Sequence, residues 1–222
     1  WFDLLFKNVA PAYTNNVSVS GGTERLKFFA SVGAYNQEGV IDHTSYDKYN
    51  FRSNMDAKVT DNFDLSLDLS GYVSEDNEPG ASAGKGSYAS IFQQAMLSYP
   101  YLKAYSPSGL PVGSLNLDGN GNNNPVAARD LSGKNTIKKT YFQGNISMKY
   151  KLPFVKGLSL KLNASYVKNY TMQKKYFLPY DLDCWNQSTR AWGVQKGRIA
   201  SKASLNQWFT ESQGYTIQPT IE

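Results

Sequence analysis

The chain has 222 residues, of which 41% are hydrophobic and 14% aromatic, and its formal net charge is +5. Its mean hydropathy is −0.49, and no apolar run approaches the roughly 18 residues of a membrane-spanning helix, which excludes a helical membrane protein. The basic residues are spread along the sequence, so we expect no nucleic-acid partner, since nucleic acid requires a concentrated basic patch. The single cysteine, Cys184, excludes a disulfide framework and a cysteine-rich zinc site.

The first third of the chain predicts a helical turn followed by strands. The apolar residues 1–6 favour the turn, and Pro11 ends it because proline cannot continue a helix. Gly21-Gly22 predicts a tight reversal, since paired glycines supply positive φ angles, and a longer connection follows at 36–45. Alternating apolar and polar residues predict three strands, at 16–20, 25–35 and 46–59.

A fourth predicted strand, residues 63–73, shows the alternation most clearly. Its apolar positions are Phe63, Leu65, Leu67, Leu69 and Val73, and Asp or Ser occupies the positions between the first four of them. Successive side chains of a strand point to opposite faces, so such strands build a sheet with one apolar face and one polar face. A transmembrane β-barrel needs this arrangement, with lipid outside and water or a polar plug inside.

Two long connections separate the remaining predicted strands. The first, residues 74–136, is rich in Gly, Ser, Asn and Pro and includes a predicted short helix at 88–97. Strands at 137–152 and 158–170 follow, then a second long connection at 171–194 and less regular strands. Such connections are unusual inside a compact soluble domain, whereas barrels have short turns at one rim and long loops at the other.

The rhythm of short and long connections predicts an all-β fold, an antiparallel transmembrane β-barrel. The alternative is a soluble β-sandwich, whose strands also alternate but whose turns recur roughly every 8–12 residues. The sequence begins at Trp1 without a signal peptide and ends within the alternation of Tyr215 to Ile221. We therefore expect a partial arc of about seven or eight strands.

Several stretches of the sequence closely resemble SusC-like TonB-dependent outer-membrane transporters. They are residues 16–24 (NVSVSGGTE), 28–41 (FFASVGAYNQEGVI) and 46–54 (YDKYNFRSN). Trp1-Phe2-Asp3 is similar to the loop that precedes this run in the family, and Asn124-Pro125-Val126-Ala127 to an element of the large loop that follows it. The resemblance covers about the first 75 residues strongly and the rest by general pattern.

The resemblance implies a barrel of about 22 strands, of which residues 1–222 are part as a single barrel domain. It implies extracellular loops at about 36–45, 74–136 and 171–194, and location in the outer membrane of a Gram-negative bacterium, in contact with its lipid. Its further implications are a plug domain, which this sequence lacks, energy from the TonB complex through that plug, and a SusD-like surface lipoprotein as a lid. The expected function is import of a nutrient oligomer. The expected substrate is a glycan, and a peptide is the second candidate.

Loop aromatics are the candidate substrate-binding residues, because flat rings stack on sugar rings. They are Tyr88, Tyr99, Tyr101 and Tyr105 in the first long connection, and Trp185 and Trp192 in the second. The simpler interpretation is that they pack the loops together or contribute to an interfacial girdle. The alternative function is a non-transporting β-rich binding or adhesion module that displays these aromatic loops.

We expect no catalytic site, no metal site and no cofactor. Residues 118–122 (DGNGN) are similar to the start of a calcium loop, but Asn123 and Arg129 occupy the positions where an EF-hand needs Gly and Glu. His43 is the single histidine and no GxSxG motif is present, so a barrel hydrolase ranks third among the hypotheses. We therefore expect that the protein is not an enzyme.

Overall fold

The computed structural model describes residues 1–80, 87–113, 124–155, 157–196 and 202–222. In chain order its elements are α1 Phe2–Leu5, β1 Ala12–Gly22, β2 Leu26–Glu38, β3 Ser45–Thr60, β4 Phe63–Pro79, α2 Ser87–Leu97, α3 Pro125–Leu131, β5 Gly133–Lys151, β6 Ser159–Phe177, β7 Leu182–Asn186, β8 Ala191–Gln195 and β9 Ser204–Ile221. Seven strands form one antiparallel sheet in the order β1-β2-β3-β4-β5-β6-β9, and β7 and β8 form a separate hairpin. This architecture confirms the predicted all-β arc.

The strands are longer than the alternation predicts. β4 continues to Pro79 and β5 begins at Gly133, so the first long connection shrinks from 74–136 to 80–132. β6 continues to Phe177, and the irregular end of the chain forms one long strand, β9. The helices expected at the start of the chain and at 88–97 are present as α1 and α2, while α3 was not predicted.

The register confirms the two faces of the sheet. Leu67 lies opposite Met55 on β3 and Ile146 on β5, so these apolar side chains share one face, called here the apolar side. On the opposite face, the polar side, Asn54 donates a hydrogen bond from Nδ2 to Asp68 at 2.5 Å. Cross-strand partners of like character therefore stabilise both faces of the sheet.

The connections divide between two rims. The short-turn rim carries residues 23–25 and 61–62 and the described part of 152–158. The long-loop rim carries residues 39–44 and the described parts of 80–132 and 178–203. Because all seven strands are antiparallel neighbours in chain order, every second connection falls on the same rim. The predicted short and long rhythm is thus a property of the folded sheet.

Two clusters of buried apolar residues lie beyond the long-loop rim. We call this region the cap: residues 1–11, the connection 39–44, and the described parts of 80–132 and 178–203. Its first cluster is formed by Leu5, Ile41, Ile91, Ala95, Ala104, Val126 and Ala128. A second cluster contains Ala127, Tyr180, Leu182 and Cys184. The cap therefore has the buried packing of a small globular unit.

Helices are minor elements of this fold. α2 and α3 contact each other within the cap and also reach β4. In the described part of the chain, no helix combines the length and the apolar character needed to cross a lipid bilayer.

Candidate functional site

Asn124 holds three segments of the cap together. Its side chain is fully buried and donates hydrogen bonds to the carbonyl oxygens of Ala104 and Val112, at 2.7 and 3.1 Å. Its Oδ1 accepts from the backbone N–H groups of Val126 and Ala127, both at 3.0 Å. The same residue is thus the N-cap of α3, with proline following at the first helical position. All the hydrogen-bonding capacity of this buried amide is used to fix the loop.

Arg129 joins the first segment of the chain to α3 and the 39–44 connection. Its guanidinium donates to both carboxylate oxygens of Asp130, at 2.6 and 2.9 Å, and to the carbonyl of Leu4 at 2.7 Å. It also lies 3.3 Å from Asp42. The hydrogen bond to Asp130 raises the pKa of Arg129. Arginine suits this role because its planar group binds several acceptors at once.

Lys7 extends the charged network towards β2. Its Nζ lies 3.1 Å from Glu38 and 3.4 Å from Asp42. The hydrogen bond to Glu38 raises the pKa of Lys7. Both cations of this network therefore stay charged throughout the neutral pH range, and the connection 39–44 is fixed by charge as well as by packing.

The two long connections contact each other through Asp183. Val112 and Asp183 form a parallel bridge, and the Ser108 hydroxyl donates to the Asp183 carboxylate at 2.8 Å. Gly113 packs against Cys184, leaving no space there for a side chain. Burial raises the pKa of the nearby Tyr180 hydroxyl. The described parts of the connections 80–132 and 178–203 therefore form one surface at the long-loop rim.

Tyr99 and Tyr101 form a parallel stack within this surface. Their ring centroids are 5.4 Å apart with an interplanar angle of 16°. The indole N–H of Trp1 donates to the carbonyl of Tyr99 at 2.9 Å, which ties the stack to the first segment. Tyr101 remains 70% exposed. The pair offers a flat aromatic platform at the surface of the cap.

The other aromatics predicted as site residues lie on separate elements. Trp185 and Trp192 face each other across the β7–β8 hairpin, edge to face with centroids 5.5 Å apart. Tyr105 lies in a tight turn, bridged to Pro111, and is 47% exposed. The structure thus pairs Tyr99 with Tyr101 and Trp185 with Trp192. For Tyr88 the side chain lies outside the described residues.

The polar side of the sheet carries aromatic residues that the sequence analysis did not select. Tyr72 and Tyr141 stack with centroids 5.5 Å apart, and Lys48 Nζ lies 4.6 Å from the Tyr72 ring centre. Tyr35 and Tyr46 form a second pair at 6.0 Å. The sequence did contain a signal for them, because each of these tyrosines occupies a strand position whose neighbours on the same face are mainly polar. A tyrosine at such a position faces away from lipid.

His43 takes part in the charged network of the cap. Its Nε2 lies 3.5 Å from Asp130, and its backbone φ is +64°, a left-handed conformation at the turn of the 39–44 connection. The neighbouring Thr44 hydroxyl donates to the carbonyl of Ile41. The contacts of His43 therefore serve the loop. Residues 118–122, considered above for calcium, lie outside the described residues. Among the residues that the structure describes, no three His, Cys, Asp or Glu side chains form a group that could hold a metal ion.

Two receptors of the bacterium Formosa agariphila are similar to this chain in sequence. TonB-dependent receptor P26 is 28% identical over 142 residues, which is 64% of this chain and 13% of that receptor. TonB-dependent receptor P3 is 24% identical over 182 residues, which is 79% of this chain and 17% of that receptor. The chain therefore spans less than a fifth of the length of these relatives. No family model matches the sequence.

Solved structures of the RagAB peptide importer share the fold. The closed-closed state has a TM-score of 0.59 and 14% identity, covering 100% of this chain and 31% of that chain. The open-open state has a TM-score of 0.63 and 18% identity, covering 99% of this chain and 22% of that chain. Sequence and fold thus agree with the resemblance: the chain is similar in sequence to TonB-dependent receptors, and its seven-stranded sheet matches part of the RagAB structures in fold.

Proposed function

We propose that the full-length protein imports a nutrient oligomer across the outer membrane with energy from the TonB complex. The observation that carries the proposal is the seven-stranded wall, with one predominantly apolar side and one hydrogen-bonded polar side. Such a wall separates lipid from a polar lumen. The receptor names of the sequence relatives support energy supply by TonB. The family resemblance implies that a plug domain receives this energy.

Residues 1–222 belong, in this proposal, to one barrel domain whose long-loop rim faces the outside of the cell. The loops expected at 36–45, 74–136 and 171–194 lie at or next to that rim, and the short turns face the periplasm. The difference in loop length supports this orientation, because outer-membrane barrels have short periplasmic turns and longer extracellular loops. The cap is then the first part of this arc that a ligand meets.

The ligand is an oligosaccharide in our main proposal. The Tyr99–Tyr101 stack and Trp192 supply exposed flat rings, and Trp185 packs against Trp192. Such rings bind the apolar faces of sugars. Tyr72 and Tyr141 continue this character on the polar side, further along the wall. A peptide is the second candidate, supported by the peptide importers that share the fold.

A SusD-like surface lipoprotein is the proposed lid. Apolar side chains of the cap remain exposed on α1 and α2: Phe2, Leu4, Phe92, Met96 and Leu97. Soluble surfaces rarely collect so many exposed large apolar residues, and such patches mark interaction sites. This patch adjoins the Trp1 contact of the tyrosine stack, so a lid bound there would cover the ligand surface.

Uptake of labelled oligomers by cells that produce the full-length protein tests the proposal. A fluorescent oligosaccharide pool and a fluorescent peptide pool are offered separately, with and without a functional TonB complex. We expect uptake of the oligosaccharide pool to require TonB and to fall about tenfold in the Tyr99→Ala/Tyr101→Ala variant, since two stacking contacts are lost.

The matched control is Phe154→Ala, which removes a 77% exposed aromatic residue at the short-turn rim. Uptake of the peptide pool alone would identify the substrate as a peptide instead of a glycan. Uptake of either pool without TonB would contradict TonB dependence. The adhesion alternative has its own test, which is detergent dependence. A full-length protein that stays monodisperse in plain buffer would contradict the membrane-spanning wall and favour that alternative.

A further inference from the structure

The apolar side of the sheet contains a groove across β1 to β5. It has a volume of about 590 Å³. Its apolar walls include Val17, Val32, Phe51, Val73 and Phe142. Ala34 also lines the groove, and because it contributes only a methyl group between Asn15 and Tyr49, it leaves room for a guest. A groove of this character on a lipid-facing surface favours hydrocarbon over water.

A polar cavity lies at the long-loop end of the same side. Its volume is about 500 Å³. Three cations and three carboxylates line it, together with Ser45 and Asn77: Lys7, Arg129 and Lys134, and Glu38, Glu78 and Asp130. Ser45 follows the side-chain alternation of Tyr49, four residues further towards the rim, which corresponds to about 14 Å along the strand. The cavity therefore continues the groove beyond the end of the apolar band.

Polar side chains connect the two spaces. Asn77 Nδ2 donates to the Ser45 hydroxyl at 3.4 Å, and the Thr136 hydroxyl donates to Asn77 Oδ1 at 2.9 Å. One register line below, Lys138 lies 2.8 Å from Glu75. These contacts join β3, β4 and β5 on the apolar side, between the groove and the cavity. The surface therefore changes from apolar to polar within two rows of paired residues across the strands.

Lysines dominate the charge of β5 and β6 on this side. On the apolar side, β5 and β6 together carry four lysines and no acidic residue: Lys134, Lys138, Lys168 and Lys174. The carboxylates that two of them reach lie on flanking strands, Glu75 on β4 and Glu211 on β9. A lysine ammonium has three N–H donors, so a carboxylate partner leaves donors for a second anion.

We propose that this surface binds one phosphorylated glycolipid of the outer leaflet, with an acyl chain in the groove and a headgroup phosphate on Lys134 and Lys138. The headgroup sugar then fills the polar cavity, whose mixed donors and acceptors suit hydroxyl groups. This inference rests on the lipid-facing role of the apolar side. It is independent of the imported substrate, so failure of the uptake experiment leaves it standing.

Charge complementarity favours this occupant over a neutral lipid. A phosphate carries up to two negative charges and accepts short hydrogen bonds from ammonium groups. Lys134 and Lys138 lie at the edge of the apolar band nearest the long-loop rim. The phosphates of a lipid lie at that level when its chains cover the band. The groove and the lysines thus recognise the two ends of one amphipathic molecule.

Lipid retention by the full-length protein tests the proposal. The protein is purified into vesicles of phosphatidylethanolamine with a small fraction of diphosphorylated lipid A, re-extracted in mild detergent, and analysed by native mass spectrometry. We expect one lipid A to remain on the wild-type protein. Retention falls about fivefold or more in Lys134→Ala/Lys138→Ala, and likewise when the lipid is dephosphorylated, because the charged contacts are lost.

The matched control is Lys149→Ala/Lys161→Ala. These two lysines lie on the same two strands β5 and β6 but on the polar side, near the short-turn rim, and both approach Glu222. The control removes the same total charge and is expected to retain lipid A. Equal retention by both double variants would overturn the proposal, and so would equal retention of the dephosphorylated lipid.

A second variant tests the groove separately. Ala34→Trp fills the groove without changing charge, so it is expected to lower retention of lipid A while the lysines remain. Wild-type retention in this variant would overturn the acyl-chain assignment. Release of the lipid by inorganic phosphate alone would assign the lysines to free phosphate, and dimerisation of the lipid-free protein would assign the groove to a second copy. Barrel assembly of every variant is checked by thermal unfolding.

Discussion

The sheet and the cap are stabilised in different ways. The sheet repeats one interaction many times, so each strand pair contributes a ladder of backbone hydrogen bonds and two rows of matched side chains. The cap has few regular ladders. It depends on individual residues such as Asn124, Arg129 and Asp183, each of which joins segments that are distant in the sequence.

This difference has a functional consequence if the sheet is the proposed membrane wall and the cap carries the proposed binding surface. A redundant sheet tolerates loss of one contact, whereas a cap held at a few points changes shape when one point is removed. A loop region that must rearrange around a ligand or a lid is expected to have low local stability, as the cap does in this comparison. The predictions below test whether the two regions respond separately.

Leu67→Arg is expected to have the largest effect. Leu67 lies at the centre of the apolar band, opposite Met55 and Ile146. An arginine at the bilayer midplane costs roughly 2–4 kcal/mol of stability. Denaturant unfolding of the full-length protein in lipid vesicles measures this loss. Ser165→Arg, at a polar-side position of β6, is the control, and equal destabilisation by both would contradict the assignment of faces.

Asn124→Ala is expected to loosen the cap and leave the sheet intact. The variant removes an N-cap and leaves the carbonyls of Ala104 and Val112 without their donor, a loss of about 1–3 kcal/mol in the stability of the cap. Amide hydrogen exchange measures it, as faster exchange at α3 with unchanged protection of β4 and β5. Asn169→Ala, on the polar side of β6, should change neither region. Equal acceleration in the sheet would show that cap and sheet unfold together.

Sequence reasoning succeeded where the same pattern repeats. The alternation from Phe63 to Val73 was enough to assign both faces, and the register confirms it. It was incomplete for β9, where the alternation was recognised only from Tyr215 to Ile221, because Glu211 and Gln213 occupy positions on the apolar side of this strand. Glu211 is stabilised there by Lys168, 2.7 Å away, a partner that no local pattern indicates.

The cap was harder to predict for a related reason. Its decisive contacts join polar residues far apart in the chain, as between Ser108 and Asp183 or between Arg129 and Leu4. Such pairs leave no periodic signal in the sequence. The Asn-Pro dipeptide at 124–125 was the one local indication of α3, since both residue types favour a helix start. The substrate-binding role of the loop aromatics remains a prediction.

Arg129→Lys is expected to weaken the cap by about 1–2 kcal/mol, because a lysine cannot replace the bidentate contact with Asp130 together with the bond to Leu4. Hydrogen exchange should accelerate in α1 and at Ile41. The control is Arg25→Lys at the short-turn rim, where both Arg25 and its partner Asp61 are exposed. Exposed pairs of this kind contribute about 0–1 kcal/mol. Similar exchange in the two variants would show that Arg129 acts only as a surface charge.

Tyr180→Phe is expected to have the smallest effect, confined to alkaline pH. Burial raises the pKa of Tyr180 in the folded cap, whereas an unfolded cap ionises this hydroxyl near its ordinary pKa of about 10. The unfolded state therefore binds fewer protons above pH 10, so the contribution of Tyr180 to stability is complete below that pH and is lost above it. The variant lacks this loss.

Guanidinium unfolding followed by near-ultraviolet circular dichroism measures the difference in free energy of unfolding between wild type and variant. We expect this gap to be constant from about pH 7 to 9 and to shift in favour of the variant at about pH 11. A gap that stays constant over the whole range would show that Tyr180 ionises freely in the folded cap, and that the cap admits water at its second apolar cluster.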